Sequence, residues 1–183
     1  TTDGLCFYHS TDGGINWSGY RAATPPSGLA IYCDGLRYAS KRDRVHTAST
    51  FVPLGVIAHL GVSYAYSDMN FATSGYFTTW KNAAGTTVGT TTSSPFTEAT
   101  CPSVTPADWF CRDISLDSSG TPHLFIQQPR QGYLPAYGET ALQHAVYNSG
   151  WVFTSITDQA GVYVQGRNGI RSLFNSDNTC KLY

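Results

Sequence analysis

The chain has 183 residues, a formal net charge of -1, and 13% charged residues against 41% hydrophobic and 14% aromatic ones. So neutral a balance excludes non-specific nucleic-acid binding, which needs a basic surplus to neutralise phosphates, and a polybasic membrane-surface role; the aromatic content excludes a disordered chain. Lys, Glu, Leu and Met are scarce, Thr, Val, Tyr, Phe and Trp are plentiful, and 22 Thr with 18 Ser put a small hydroxyl on 40 residues, so the reading is an all-β chain whose surface carries hydroxyls and amides in place of charges.

The length fits a single β-rich domain over residues 1–183. Its start at Thr1, without Met or an apolar leader, reads as a domain excised from a longer polypeptide or as a mature processed chain. No apolar run approaches the roughly 20 residues that span a bilayer, so no membrane insertion is expected. In chain order, the first predicted strand covers residues 5–10 and runs into the turn Thr11-Asp12-Gly13-Gly14. Residues 29–33 and 36–40 face each other across Asp34-Gly35, a two-residue hairpin signal. Residues 56–67 form a long apolar strand with Gly61 as a bulge or bend. Strands follow at 76–80, 86–92, 109–116 and 123–128, the last two joined by Asp117-Ser118-Ser119-Gly120. Residues 143–147 and 151–156 flank Asn148-Ser149-Gly150, and 162–165 and 170–174 flank Arg167-Asn168-Gly169. A single helical turn over 140–147 and a loop over the Ser/Thr-rich stretch 85–94 are the alternatives to strand. Roughly ten to twelve short strands with long loops suggest an antiparallel barrel or sandwich.

Several signals bear on chemistry. No G-x-S-x-G, H-E-x-x-H, phosphate-binding or dinucleotide-binding motif is present. Only Glu98 and Glu139 supply glutamate, so paired carboxylates would come from the Asp set. His123 and His144 lie on runs that can pair and bring the two rings face to face, most simply as half-buried strand residues. The five cysteines show no C-x-x-C spacing, which argues against zinc; Cys101 and Cys111 flank a loop that one bridge can close. No metal, cofactor or catalytic residue is expected.

Ser10-Thr11-Asp12-Gly13-Gly14-Ile15-Asn16-Trp17 matches S-x-D-x-G-x-x-W, an Asp-box. It resembles the turn of sialidase-type β-propeller blades. Ser10, Asp12, Gly14 and Trp17 are read as structural: the carboxylate bonds turn amides, glycine supplies positive φ, and the Trp packs beneath. Residues 114–124 and 142–151 are similar to propeller-lectin blade sequence, although the matches do not recur at equivalent positions. For recognition, the loop 127–139 offers Arg130, Tyr133 and Tyr137, since tyrosine gives contact area at low entropic cost. Lys41, Arg42 and Arg44 form the basic cluster, a second candidate contact.

Low Lys and Glu, abundant Ser, Thr, Gly and Tyr, many short strands, an odd number of cysteines, and the opening Asp3-Gly4-Leu5-Cys6-Phe7-Tyr8 resemble the astrovirus capsid spike domain. That resemblance implies a β-barrel-like core, a homodimer on the virion surface, and attachment to a host-cell receptor, protein or glycan, without enzymatic turnover. A secreted carbohydrate-binding lectin or β-propeller-like module is the second expectation. A small hydrolase with an Asp- or Cys-based site is the third.

Overall fold

The computed structural model describes residues 5–10, 12–23, 28–31, 37–41, 44–53, 61–68, 79–90, 110–128, 141–156 and 170–183. These hold fourteen strands and no helix, more strands than the ten to twelve expected. They are β1 (Leu5–His9), β2 (Ser18–Ala23), β3 (Leu29–Ile31), β4 (Arg37–Lys41), β5 (Arg44–Pro53), β6 (Gly61–Asp68) and β7 (Thr79–Lys81). The remainder are β8 (Thr87–Thr90), β9 (Phe110–Leu116), β10 (Pro122–Gln128), β11 (Ala141–Tyr147), β12 (Trp151–Ser155), β13 (Ser172–Phe174) and β14 (Cys180–Leu182). All pairings are antiparallel. The helical alternative over 140–147 is replaced by β11.

The strands form four sheets. β1–β2 and β13–β14 are two-stranded, β9 to β12 make a four-stranded meander, and β3, β5, β6, β7 and β8 make the largest sheet, with β4 also on β5. The expected hairpin between residues 29–33 and 36–40 does not form a ladder. Instead β3 and β4 line up end to end along one edge of β5, pairing with residues 51–53 and 44–48. A ten-residue central strand offers enough edge for both, and the other edge is taken by β6. β9 lies beside β4 and β13 and also meets β5 and β6, so it is the strand at which the largest sheet, the meander and the β13–β14 hairpin come together.

The main core lies between two of these sheets. Ala48, Val62 and Tyr64 from β5 and β6 pack against Cys111, Ile114, Leu124, Ile126 and Ala145. Cys111 and Ile114 share this face although strict alternation would separate them. A register shift opposite Phe125 and Ile126 inserts one extra residue in β9 and restores the inward direction.

The opposite face of β5 and β6 is also buried, and beside Val45 and Ala65 it carries Thr47, Ser49, Ser63 and Ser67. The hydroxyl-rich composition is therefore not only a surface dressing. Ser67 Oγ donates to the Thr79 carbonyl at 2.7 Å, whereas Ser49 Oγ is buried with no hydrogen-bond partner among the described residues.

Three hairpins share one loop. In Asn82–Thr86, Asp117–Thr121 and Asn175–Thr179 the first N–H bonds the fifth carbonyl, and the fourth N–H bonds the first carbonyl. The fourth residue is left-handed each time: Gly85 at φ 82, Gly120 at 88 and Asn178 at 64. This is a type I turn closed by a bulge residue in the left-handed region. Asn82 Oδ1 and Asp117 Oδ1 each accept the backbone N–H of the fifth residue, at 3.0 and 2.8 Å. Gly120→Ala should cost about 1 kcal/mol, because an L side chain is strained there. Asn178→Gly relieves the left-handed strain but loses the bond that the Ser118 N–H donates to Asn178 Oδ1 at 2.9 Å, so it should cost about 0.5–1 kcal/mol; urea midpoints check both.

Candidate functional site

Three neighbouring strands build a charged cluster at one end of the largest sheet. Arg44 opens β5 and pairs in register with Asp68, the last residue of β6. His46 lies opposite Tyr66, and Tyr66 lies opposite Lys81 on β7. Period-two alternation then projects Arg44, His46, Tyr66, Asp68 and Lys81 to one face. This is the face that carries Ala48 and Tyr64 into the core, so the cluster forms the rim of the inter-sheet interface.

Asp68 is the hub. Arg44 Nε donates to its Oδ1 at 2.8 Å and Lys81 Nζ to its Oδ2 at 2.9 Å. The Lys81 bond, followed by Arg44, holds the Asp68 carboxyl below the usual range, and the same bond raises Lys81. The Arg44 guanidinium sits 4.6 Å and the Lys81 ammonium 5.9 Å from the Tyr66 ring centre. Among the described side chains two cations share one carboxylate, an excess of one positive charge, and Arg44 reaches that carboxylate through Nε.

Beneath the rim an aromatic row runs inward. His46 stacks on Tyr66 with centroids 5.5 Å apart, and its Nδ1 bonds the Tyr64 hydroxyl at 2.6 Å. Tyr64 meets Trp151 edge-on at 5.4 Å, and Trp151 meets Tyr147 in the same way. Burial, then the Arg44 charge, depresses His46 to about 4, so it is neutral at pH 7. Burial pushes the Tyr64 hydroxyl well above its ordinary value. A neutral imidazole and a protonated phenol make a fixed support that places Tyr66 without adding charge.

A second cluster lies on the face of the β9–β12 sheet turned toward β13. His123 Nδ1 and His144 Nε2 are 2.7 Å apart, the rings lie within 7° of coplanar, and the centroids are 5.0 Å apart. Those values describe rings joined edge to edge by one hydrogen bond. The sequence expectation that the two histidines meet across paired strands is borne out. Phe174 and Phe125 pack on the pair. His123 Nε2 is buried with no partner in hydrogen-bonding range; Asp117 Oδ2 stands at 3.7 Å. Burial lowers both imidazoles, so both are neutral bases at pH 7.

The Asp-box forms as a built turn. Asp12 accepts the N–H groups of Ile15 and Asn16 at 3.1 and 2.9 Å, the Asn16 side-chain amide and the Ser10 hydroxyl. These bonds, led by the Asn16 amide, lower its carboxyl to about 2. Ser10 Oγ accepts the Gly14 N–H at 2.8 Å. The expectation for Trp17 is corrected. It does not pack beneath the turn but is 63% exposed, held by Nε1–H donating to the Gly14 carbonyl at 3.0 Å. Tyr8 and Ile15 of the same hairpin are also exposed, so among the described residues this turn has no buried layer under it to receive the indole.

Of the residues read from sequence as contacts, Arg44 is in the rim cluster, and Lys41 ends β4 as its register partner. Arg42, Arg130, Tyr133 and Tyr137 lie outside the described residues, as does Cys101 of the expected bridge. Lys81, Asp68 and Tyr66 escaped the sequence reading, since only the β5–β6–β7 register unites them with Arg44. Among the described residues no group of three His, Cys, Asp or Glu is placed to hold a metal.

No protein-family model and no curated protein matches the chain. Among solved structures it is similar to a polysaccharide lyase of a new family, PL25 ulvan lyase, with TM-score 0.57 and 14% identity. It is equally similar, at 13% identity, to that kind of lyase bound to -[GlcA(1-4)Rha3S]-. Both matches cover 91% of this chain and 40% of the other, so the chain spans about two fifths of the length of these neighbours. At this identity the likeness bears on the fold, which is all-β in both.

Proposed function

We propose that this chain is a polysaccharide-binding β-module whose ligand carries acidic groups. The observation that carries this reading is the rim cluster, in which Arg44 and Lys81 flank Tyr66 and share the single carboxylate of Asp68. One positive charge in excess, with a guanidinium fork already oriented by Asp68, suits a uronate carboxylate or a sulfate ester. The fold neighbours support it, one of them holding a polymer of GlcA and Rha3S. The reading keeps the glycan part of the attachment expectation; the capsid spike has no counterpart among those neighbours.

The test is calorimetric titration with a sulfated uronic-acid polysaccharide and with a neutral glucan. Arg44→Ala and Lys81→Ala should each weaken binding of the acidic polymer about fivefold to tenfold, with the loss shrinking as salt rises. Equal affinity for the neutral glucan, unmoved by either change, would remove the reading.

Cleavage is a second reading, favoured by the His123–His144 pair, since coupled neutral imidazoles can serve as general acid and base. It requires new chain ends to appear in the polysaccharide, and His144→Gln to abolish them while binding persists. A wild-type chain that leaves the polymer intact over a long incubation refutes it.

A further inference from the structure

The β1–β2 hairpin exposes two aromatic rings that the rim cluster does not use. Tyr8 is 67% and Trp17 63% exposed. Tyr8 lies opposite Gly19 in register, and Trp17 stands two residues before Gly19, so alternation carries both to one face of the hairpin. Neither ring is loose. A Cβ at Gly19 would collide with the Tyr8 ring, so this glycine is the notch in which the ring lies. Trp17 is tethered through its indole N–H to the Gly14 carbonyl and passes 3.8 Å from the position of a Gly14 Cβ. The turn is itself pinned by Asp12, through four bonds from Ser10, Ile15 and Asn16. Exposed aromatic rings lose affinity for any partner to the entropy of ordering them; the Gly19 notch and the Gly14 tether reduce that cost here.

From this geometry we infer that Tyr8 and Trp17 form a preorganised stacking platform for pyranose rings of the polysaccharide, a subsite separate from the cationic rim. The C–H face of a pyranose is apolar and slightly positive, which matches the negative face of an aromatic ring. Asp12 Oδ2 and Asn16 Oδ1, on the same exposed turn, keep acceptor capacity for sugar hydroxyls. Ile15, 81% exposed on the same turn, is apolar without a ring and serves as an internal control. The inference rests on the polysaccharide reading above.

The experiment titrates the chain with the sulfated uronic-acid polysaccharide, following tryptophan fluorescence and heat, with thermal unfolding as the check on folding. Trp17→Ala and Tyr8→Ala should each weaken binding about fivefold, while Trp17→Phe stays within about twofold and Ile15→Ser is unchanged. The loss should be the same at low and high salt, unlike that of Arg44→Ala. Wild-type affinity in both alanine variants, with Arg44→Ala still impaired, overturns the platform and leaves the rim reading standing. A wild-type chain that binds no polysaccharide overturns both.

Discussion

Replacing Trp80 by alanine is expected to lower stability by about 3–5 kcal/mol, a large part of what a domain of this size has. Trp80 is fully buried and is the largest such side chain among the described residues. It sits in the middle of the three-residue strand β7, paired with Ser67 on β6 and Gly89 on β8. So short a strand has little ladder of its own, and the indole is what fixes it to the sheet. The loss should reach function as well, because the next residue is Lys81, whose ammonium reaches Asp68 only from this strand. Urea unfolding followed by circular dichroism measures the stability term. Trp80→Phe should recover part of it, and a loss below about 1 kcal/mol in Trp80→Ala would show that β7 is held by something else.

Acidification should destabilise the chain well before its carboxylates protonate. His46, His123 and His144 all have folded-state values below the ordinary 6.5, His46 at about 4. A base depressed in the folded state binds fewer protons there than in the unfolded chain. Stability is therefore intact above pH 6.5 and drains away as pH falls toward the folded value. For His46 the gap between 6.5 and about 4 corresponds to about 3 kcal/mol. Asp68 and Asp117 are lowered from 3.8, so their own loss begins only in stronger acid, and the two windows separate. Melting temperature should fall steadily from pH 6.5 to 4.5. His46→Gln, which can still accept from the Tyr64 hydroxyl but cannot charge, should flatten that slope. A melting temperature that is constant or rising across this range would contradict the burial of all three rings.

How much of this was legible in the sequence differs from feature to feature. Strands marked by β-branched and aromatic runs between turn signals, such as β9 with β10 and β11 with β12, were readable because their contacts are local. The pairing of His123 with His144 followed from the same locality. β3 and β4 were readable as strands but not as neighbours of β5, since Asp34-Gly35 marks a turn while saying nothing of which edge wins the pairing. The hydroxyls misled: surface and interior serine look alike in composition, and only the central place of β5 and β6 in the fold buries Thr47, Ser49 and Ser63. The Asp-box fixed its own backbone, yet the direction of Trp17 depends on what lies under the turn. The rim cluster was half visible as the basic run around Arg44; Lys81 and Asp68 join it through register across three strands, which no local pattern encodes.

The most direct measurement is the affinity of the wild-type chain, Arg44→Ala and Lys81→Ala for a sulfated uronic-acid polysaccharide at two salt concentrations. Saturable binding that weakens in both variants, and more so at low salt, is the predicted result. No binding by the wild-type chain, or binding indifferent to both substitutions, would contradict the assignment of this face to an acidic glycan.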